Sequence, residues 1–509
     1  MRVAHPSPLL WRRVGSTNLH RPVLVSQRRI GLATPEGTLS YTYYPAGQVE
    51  TINSSNANGV SVGYTYDDLN RLSTVVDNRL TASNTTSYTY DNASNVATVK
   101  YPNGLTSTFT YDTLNRLTEL STPPVADYKY TLGLTGIRTN ATEQNGRTLQ
   151  WNYDGIYRLT KETVTDDPAN NGGNNGYASY TLDPVGNRTS ANSTFSSLSP
   201  GFGTYNANDE VSSESYDKNG NTTRTANGNQ YTYDSENHML SMANGTTSVT
   251  MKYDAFGNRV SKTVNGVTTQ YLVEDDVNPT GYSQVVDEIV NGAVTRQYTY
   301  GLQRISQNLS PAVTGSTWTP SFYGYDGGGS VRQLINSLGV VTDEYEYDAF
   351  GNSFTKSGTT PNNYLYRGEQ YDSDLGLYYL RARYYNPATG RFLSRDPLEG
   401  NAHDPETLHK YLYAGGDPVN AIDPMGREVL VEYIVQLPTR IFVYTQIYVP
   451  MQYGAIQFYG VAGALFASVI AAICYVTDEC GPEGAHPAPD GIGEGGEPGV
   501  AAGGAGAMH

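Results

Sequence analysis

The sequence predicts an all-β protein assembled from stacked β-hairpins. Three observations carry that prediction. Tyrosine is abundant, with 43 in a chain of 509 residues, while apolar residues reach only 38%. A segment of the type Tyr-Thr-Tyr-Asp recurs at roughly 20 to 25 residues, the range that marks a repeat architecture. Asn or Gly follows most copies, and both tolerate left-handed turns. Tyr and Thr favour strands, and amphipathic Tyr then does much of the packing.

Residues 1–37 lie outside the pattern. They are arginine-rich, hold no acidic residue before Glu36 and lack the apolar stretch of a secretory signal. We expect this segment to derive from truncation of a longer chain. Residues 38–363 carry the repeats. Tyr64-Thr65-Tyr66-Asp67 leads to Asn70-Arg71-Leu72, and Tyr88-Thr89-Tyr90-Asp91 leads to Asn95-Val96. Phe109-Thr110-Tyr111-Asp112 leads to Asn115-Arg116-Leu117, and further copies sit at Tyr153, Tyr231, Tyr253 and Tyr347. Where the copy reads Tyr-Thr-Tyr or Phe-Thr-Tyr, the alternation places two aromatic rings on one strand face and the threonine on the other. Asp ends the strand, a short turn follows, and Arg-Leu or its equivalent starts the return strand. A lone hairpin is marginal, so neighbours must join into continuous sheets. The recurrent Asp and Arg are read as architecture that pairs across the turn.

Charge narrows the function classes. The formal charge is −16, so there is no basic field to attract phosphates, and nucleic acid is not an expected partner. Solubility is the plainer meaning of that balance. The only two cysteines, Cys474 and Cys480, make neither a disulfide framework nor a zinc pattern. No metal and no cofactor is expected.

The stretch YLYRGEQYDSDLGLYYLRARYYNPATGRFLSRDP, within residues 364–426, changes the reading. Together with the array of YD units before it, it resembles the RHS/YD-repeat family over residues 38–426. That family includes bacterial polymorphic toxins, the C component of insecticidal toxin complexes and the YD shell of teneurins. The resemblance implies strands that spiral into a hollow shell, enclosing a C-terminal polypeptide in the toxin members. It also implies that residues 364–426 form a core domain acting as an intramolecular aspartyl protease. The family's arginine then falls on Arg383, its two aspartates on Asp396 and Asp423, and the cleavage point on Gly426 and Arg427.

The implied chemistry suits those residue types. Two close carboxylates share one proton; the ionised one activates water and the protonated one polarises the scissile carbonyl. A neighbouring arginine separates the two roles. Site and substrate on one chain give a single turnover driven by proximity. Three departures from the family pattern stand out. Arg427 replaces the usual leucine, NAHDPETL at 401–408 lengthens the spacing, and His409-Lys410-Tyr411-Leu412-Tyr413 replaces a more familiar Asn-led segment. The rival reading makes Asp396 and Asp423 mere anchors of Asp-Pro turns. Asp404 and Asp417 also precede proline and are expected to be turn residues. His403 and His409 have no partner pattern that points to a metal.

Beyond Gly426 the composition shifts. Residues 427–480 form a variable segment in which Ile441 to Thr477 carry no charged residue. The run Ala455–Val476 is expected to be helical and is long enough to span a bilayer. Small residues recur there at spacing that suits helix packing in lipid. Membrane anchor, membrane-active cargo and buried core helix stand as three readings of it. Residues 481–509 are rich in Gly, Ala, Pro and Glu and are expected to be disordered.

The functional expectation is a shell that encapsulates and helps deliver its own C-terminal segment, with self-cleavage as its sole enzymatic activity. Separate secretion or delivery modules are its expected partners. The rival is a non-cleaving cell-surface adhesion or carbohydrate-binding protein, anchored through residues 455–476 and meeting glycan or membrane. Both readings place the protein outside the cell, secreted or at the bacterial surface.

Overall fold

Antiparallel sheet dominates the computed structural model, which describes residues 23–25, 28–81, 84–168, 174–195, 198, 200–398, 408–427 and 429–431. A first sheet of sixteen strands runs from Val23–Val25 to Arg188–Ser193, and a second of fourteen from Ser215–Tyr216 to Ser353–Ser357. Both are meanders: every strand pairs with its chain neighbours. A four-stranded core sheet follows, built from Gln370–Asp372, Leu377–Leu380, Arg383–Asn386 and Arg391–Phe392. Ala421–Ile422 then pairs with Leu430–Val431. The first sheet already begins at Val23, ahead of the boundary the sequence suggested at residue 38. The apolar run 455–476 and both cysteines lie outside the described residues, and no described helix is long and apolar enough to cross a membrane.

One repeat explains the array. In the strand Ser61–Tyr66, Tyr64 is buried, Thr65 is exposed and Tyr66 is half-buried. Thr65 meets Thr74 across the outer face at 2.7 Å, as Thr89 meets Thr98. Asp67 then organises the turn. Its Oδ1 accepts the backbone N–H groups of Leu69 and Arg71, each at 2.9 Å, and its Oδ2 accepts Arg71 Nε at 2.8 Å. Asn70, three residues after the aspartate, has φ of 62°. Asp112 with Arg116 and Asp154 with Arg158 repeat the arrangement, and Asn takes the place of Arg beside Asp91, Asp254 and Asp348.

The second tyrosine links one repeat to the one before. Tyr90 donates its hydroxyl to the Leu72 carbonyl at 2.8 Å, Tyr111 to Val96 at 3.0 Å and Tyr253 to Met239 at 2.8 Å. Leu72 stands where the pairing register shifts, so a regular ladder does not serve its carbonyl. The hydroxyl fills that gap.

The two sheets meet in chain order. Tyr41 bonds Glu274, Ser54 and Val60 bond Asp287, Thr299 bonds Asp77, Arg332 bonds Glu143, and the Ala349 amide bonds Glu162. That matched order is what a chain winding back along itself requires. One apolar cluster joins Leu39, Ile52 and Tyr64 of the first sheet to Leu272, Phe322 and Leu334 of the second. Tyr378, Leu380, Tyr385 and Phe392 of the core sheet complete it.

Candidate self-cleavage site

The hairpin Leu377–Leu380 with Arg383–Asn386 places Arg383 at the head of a buried strand. Its guanidinium lies over the Phe392 ring, 3.6 Å from the centroid. The core sheet buries Tyr378, Tyr384 and Tyr385 around this hairpin and fixes it against the rest of the molecule.

Asp396 approaches from the loop after Arg391–Phe392. Its backbone N–H donates to the Lys410 carbonyl at 2.8 Å, and its Oδ1 accepts the Leu398 amide at 2.8 Å. Asp423 approaches from the other direction, in the turn Asp423-Pro424-Met425-Gly426. The Gly426 N–H closes that turn on the Asp423 carbonyl at 3.3 Å.

All five residues singled out in the sequence come together. One nitrogen of Arg383, Nη2, lies 2.8 Å from Asp396 Oδ2 and 3.1 Å from Asp423 Oδ2. Arg383 Nε donates to the Gly426 carbonyl oxygen. Asp423 Oδ1 accepts the Arg427 backbone N–H at 2.9 Å. The bond between Gly426 and Arg427 is therefore held at both ends, its oxygen by Arg383 and its nitrogen by Asp423. Burial lowers the Arg383 pKa, with Asp423 and then Asp396 acting in the opposite sense. Arg383 and Asp423 are buried and Asp396 is half-buried.

Two details differ from the sequence reading. The group on the Gly426 carbonyl is the arginine, not a protonated carboxyl. The arginine also touches both carboxylates through one nitrogen instead of favouring one. The side chain of Arg427 is exposed, so the residue that replaces leucine occupies no buried pocket.

The turn at Gly426 is a repeat turn in another setting. Asp423 Oδ1 binds the N–H four residues on, as Asp67 Oδ1 binds Arg71, and Gly426 has φ of 65° where Asn70 has 62°. In the repeat, Asp67 Oδ2 takes its own Arg71. Here Asp423 Oδ2 takes Arg383, forty residues earlier in the chain. The shared spacing, Asp254-x-x-Gly257-Asn258 against Asp423-x-x-Gly426-Arg427, is readable in the sequence.

His409 and Asp417 are structural. His409 is buried and bonded to Asn187, and burial followed by Arg391 pushes its imidazole down to about 3. Burial raises Asp417 to about 6, and it accepts hydrogen bonds from Asn420 within its own turn. His403, Asp404 and most of the 401–408 insertion lie outside the described residues. Glu274, Asp275 and Asp276 form an acidic group among the described residues. Asn278 and Arg29 already occupy Glu274 and Asp275, respectively.

Comparison with known proteins agrees with this fold. The Teneurin YD-shell family matches residues 29–164 and 137–419, which include Arg383 and Asp396 and stop short of Asp423. The tRNA3(Ser)-specific nuclease WapA of Bacillus spizizenii is 36% identical over 291 residues, or 54% of this chain and 12% of that protein. The tRNA nuclease WapA of Bacillus subtilis strain 168 is 35% identical over the same length and shares of both chains. This chain thus spans only a small part of those relatives. Among solved structures, a crystal structure of TcdB2-TccC3-Cdc42 is similar with a TM-score of 0.63 at 18% identity, covering 77% of this chain and 22% of that one. At that identity the likeness is one of fold.

Proposed function

This chain belongs to the Teneurin YD-shell family, and on that premise we propose that it is a toxin-type shell that cuts its own backbone between Gly426 and Arg427 to free the segment that follows. The observation that carries the proposal is the convergence of Asp396, Asp423 and the Gly426 carbonyl on the one guanidinium of Arg383. Two relatives bear nuclease names, which supports a shell that accompanies a toxic activity. Delivery of residues 427 onwards as cargo, and action outside the producing cell, follow from the same reading.

The residues divide the work. Asp396, half-buried, takes a proton from water as the water oxygen bonds to the Gly426 carbonyl carbon. Arg383 Nε holds the oxyanion that forms on the Gly426 oxygen. Asp423 takes the second proton from the water-derived hydroxyl and delivers it to the neighbouring Arg427 nitrogen as the C–N bond breaks and the carbonyl reforms, the bond's electron pair staying on that nitrogen. The proton on Asp396 then passes to the new amine. The products are a Gly426 carboxylate and an Arg427 ammonium, and both aspartates return to their starting state.

The test is intact mass and a denaturing gel of the full chain beside Asp396→Asn and Asp423→Asn. The proposal expects the wild type to split at 426/427 and both variants to stay whole. A wild type that remains one chain removes the proposal and leaves the aspartates as turn anchors of a non-cleaving shell.

A further inference from the structure

Three successive residues of the core hairpin bind three successive carbonyls of the turn that carries the proposed cut. Arg381 Nη1 donates to the Pro424 oxygen, the Ala382 N–H donates to the Met425 oxygen at 3.2 Å, and Arg383 Nε donates to the Gly426 oxygen. Arg381 is itself fixed. Its Nη1 lies 2.9 Å from Glu369 Oε2, and its Nε donates to the Ser283 carbonyl at 3.0 Å. It sits in a tight turn with φ of 59°, a left-handed conformation that a non-glycine residue keeps only where its surroundings impose it.

The clamp has a steric end-stop. A Cβ built on Gly426 would stand 2.6 Å from the Leu380 carbonyl oxygen and 3.1 Å from the Arg383 nitrogen, both backbone atoms that cannot swing aside. Gly426 also holds φ of 65°. Only glycine can sit where Arg383 reaches the carbonyl. Further back, Arg367 donates to the Val419 carbonyl at 3.1 Å, as does Arg138 at 3.1 Å. The segment is thus held along its backbone from Val419 to Gly426, while the Arg427 side chain is exposed.

We propose that Arg381, Ala382 and Arg383 form a register clamp that selects the Gly426–Arg427 bond by backbone position and by the need for glycine at 426, leaving the side chain of residue 427 unread. This rests on the self-cleavage proposed above and names what sets its site. Arg381 is a positioning residue, since it touches neither the scissile oxygen nor the scissile nitrogen. A slip of one residue would put Met425 against the Leu380 carbonyl and move the cut.

Arg381→Ala is tested in the full chain, once as it stands and once in an Asp396→Asn background. The first readout is the mass of each self-cleavage product. The clamp predicts that cleavage slows at least tenfold and that cuts appear at neighbouring bonds, whereas a purely structural role would slow cleavage and leave the bond unchanged. The second readout does not depend on self-cleavage. Trypsin cuts after Arg427, and in the Asp396→Asn chain the clamp predicts at least a tenfold faster cut there once Arg381 is removed. Gly426→Ala in the same background serves as a second variant and is expected to loosen the segment similarly. A single unmoved cut, or unchanged trypsin rates in both variants, overturns the clamp. If the wild-type chain never cleaves itself, the proposed function falls and bond selection with it, and the trypsin arm then decides only whether Arg381 holds the segment in place.

Discussion

Tyr90 shows how much one side chain does in this architecture. Its ring is half-buried against the repeat before it, the Arg71 guanidinium lies 4.4 Å from its centroid, and its hydroxyl reaches the Leu72 carbonyl. Phenylalanine would keep the ring and leave that carbonyl without its donor. Tyr90→Phe should therefore destabilise the protein by about 1 kcal/mol, the usual net worth of one hydrogen bond. Denaturant unfolding of the pair checks this, and an unchanged midpoint would mean that water serves the carbonyl equally well. The sequence made the packing role of these tyrosines legible through their alternation. It gave no sign of the hydroxyl's role, because the acceptor is a backbone atom exposed only by a register shift that sequence does not encode directly.

At the scale of the element, the YD turn is an electrostatic device as well as a bend. Burial tends to raise the Asp67 pKa, but the Arg71 side chain and the turn amides outweigh it and hold the carboxyl below its usual range. The same balance acts on Asp112 beside Arg116. A carboxylate depressed in this way adds stability that is present above its unfolded value and lost as pH falls through the folded one. Arg71→Ala should move Asp67 upward in a carboxyl NMR titration and leave Asp112 where it is. An unmoved Asp67 would assign the whole shift to the turn amides. Turn and ion pair were both legible from Asp-x-x-Asn-Arg. A related pattern, Asp-x-x-Gly-Arg, stands at Asp423 to Arg427, yet there the arginine that meets Oδ2 comes from another element. Arg383, Asp396, Asp423 and the Gly426–Arg427 bond could be placed by resemblance to a family. Arg381 and Glu369 could not, since their part depends on which carbonyl a tight turn presents to them.

Across the whole described unit, the seam between the two large sheets is where sequence was silent, because its partners lie far apart in the chain and no local pattern pairs them. Glu162 is the clearest case. It is buried, accepts Trp151 Nε1 at 3.0 Å from its own sheet and the Ala349 amide at 2.8 Å from the other, and faces Asp348 and Arg147. Burial first, then Asp348, pushes its carboxyl up to about 7. Asp348 is itself raised to about 6, chiefly by burial. The sign is opposite to that of the Asp67 and Asp112 turns. A group with a raised folded pKa contributes stability that is complete below its unfolded value and lost as pH rises through the folded one. For Glu162 that loss begins near the ordinary glutamate value of about 4.3 and ends near 7. Within this window the cost is at most about 1.4 kcal/mol per pH unit for one proton. For this carboxylate, acidification from pH 7 to 5 favours the folded seam. Glu162→Gln cannot titrate, and unfolding measured at pH 5 and at pH 7 should differ less in that variant than in the wild type. The absolute stability of the variant will also move, since the two N–H groups meet different oxygens of Glu162 and glutamine puts an NH2 donor in place of one of them. The decisive quantity is the slope, and equal slopes in the two proteins would show that Glu162 keeps its charge across the seam.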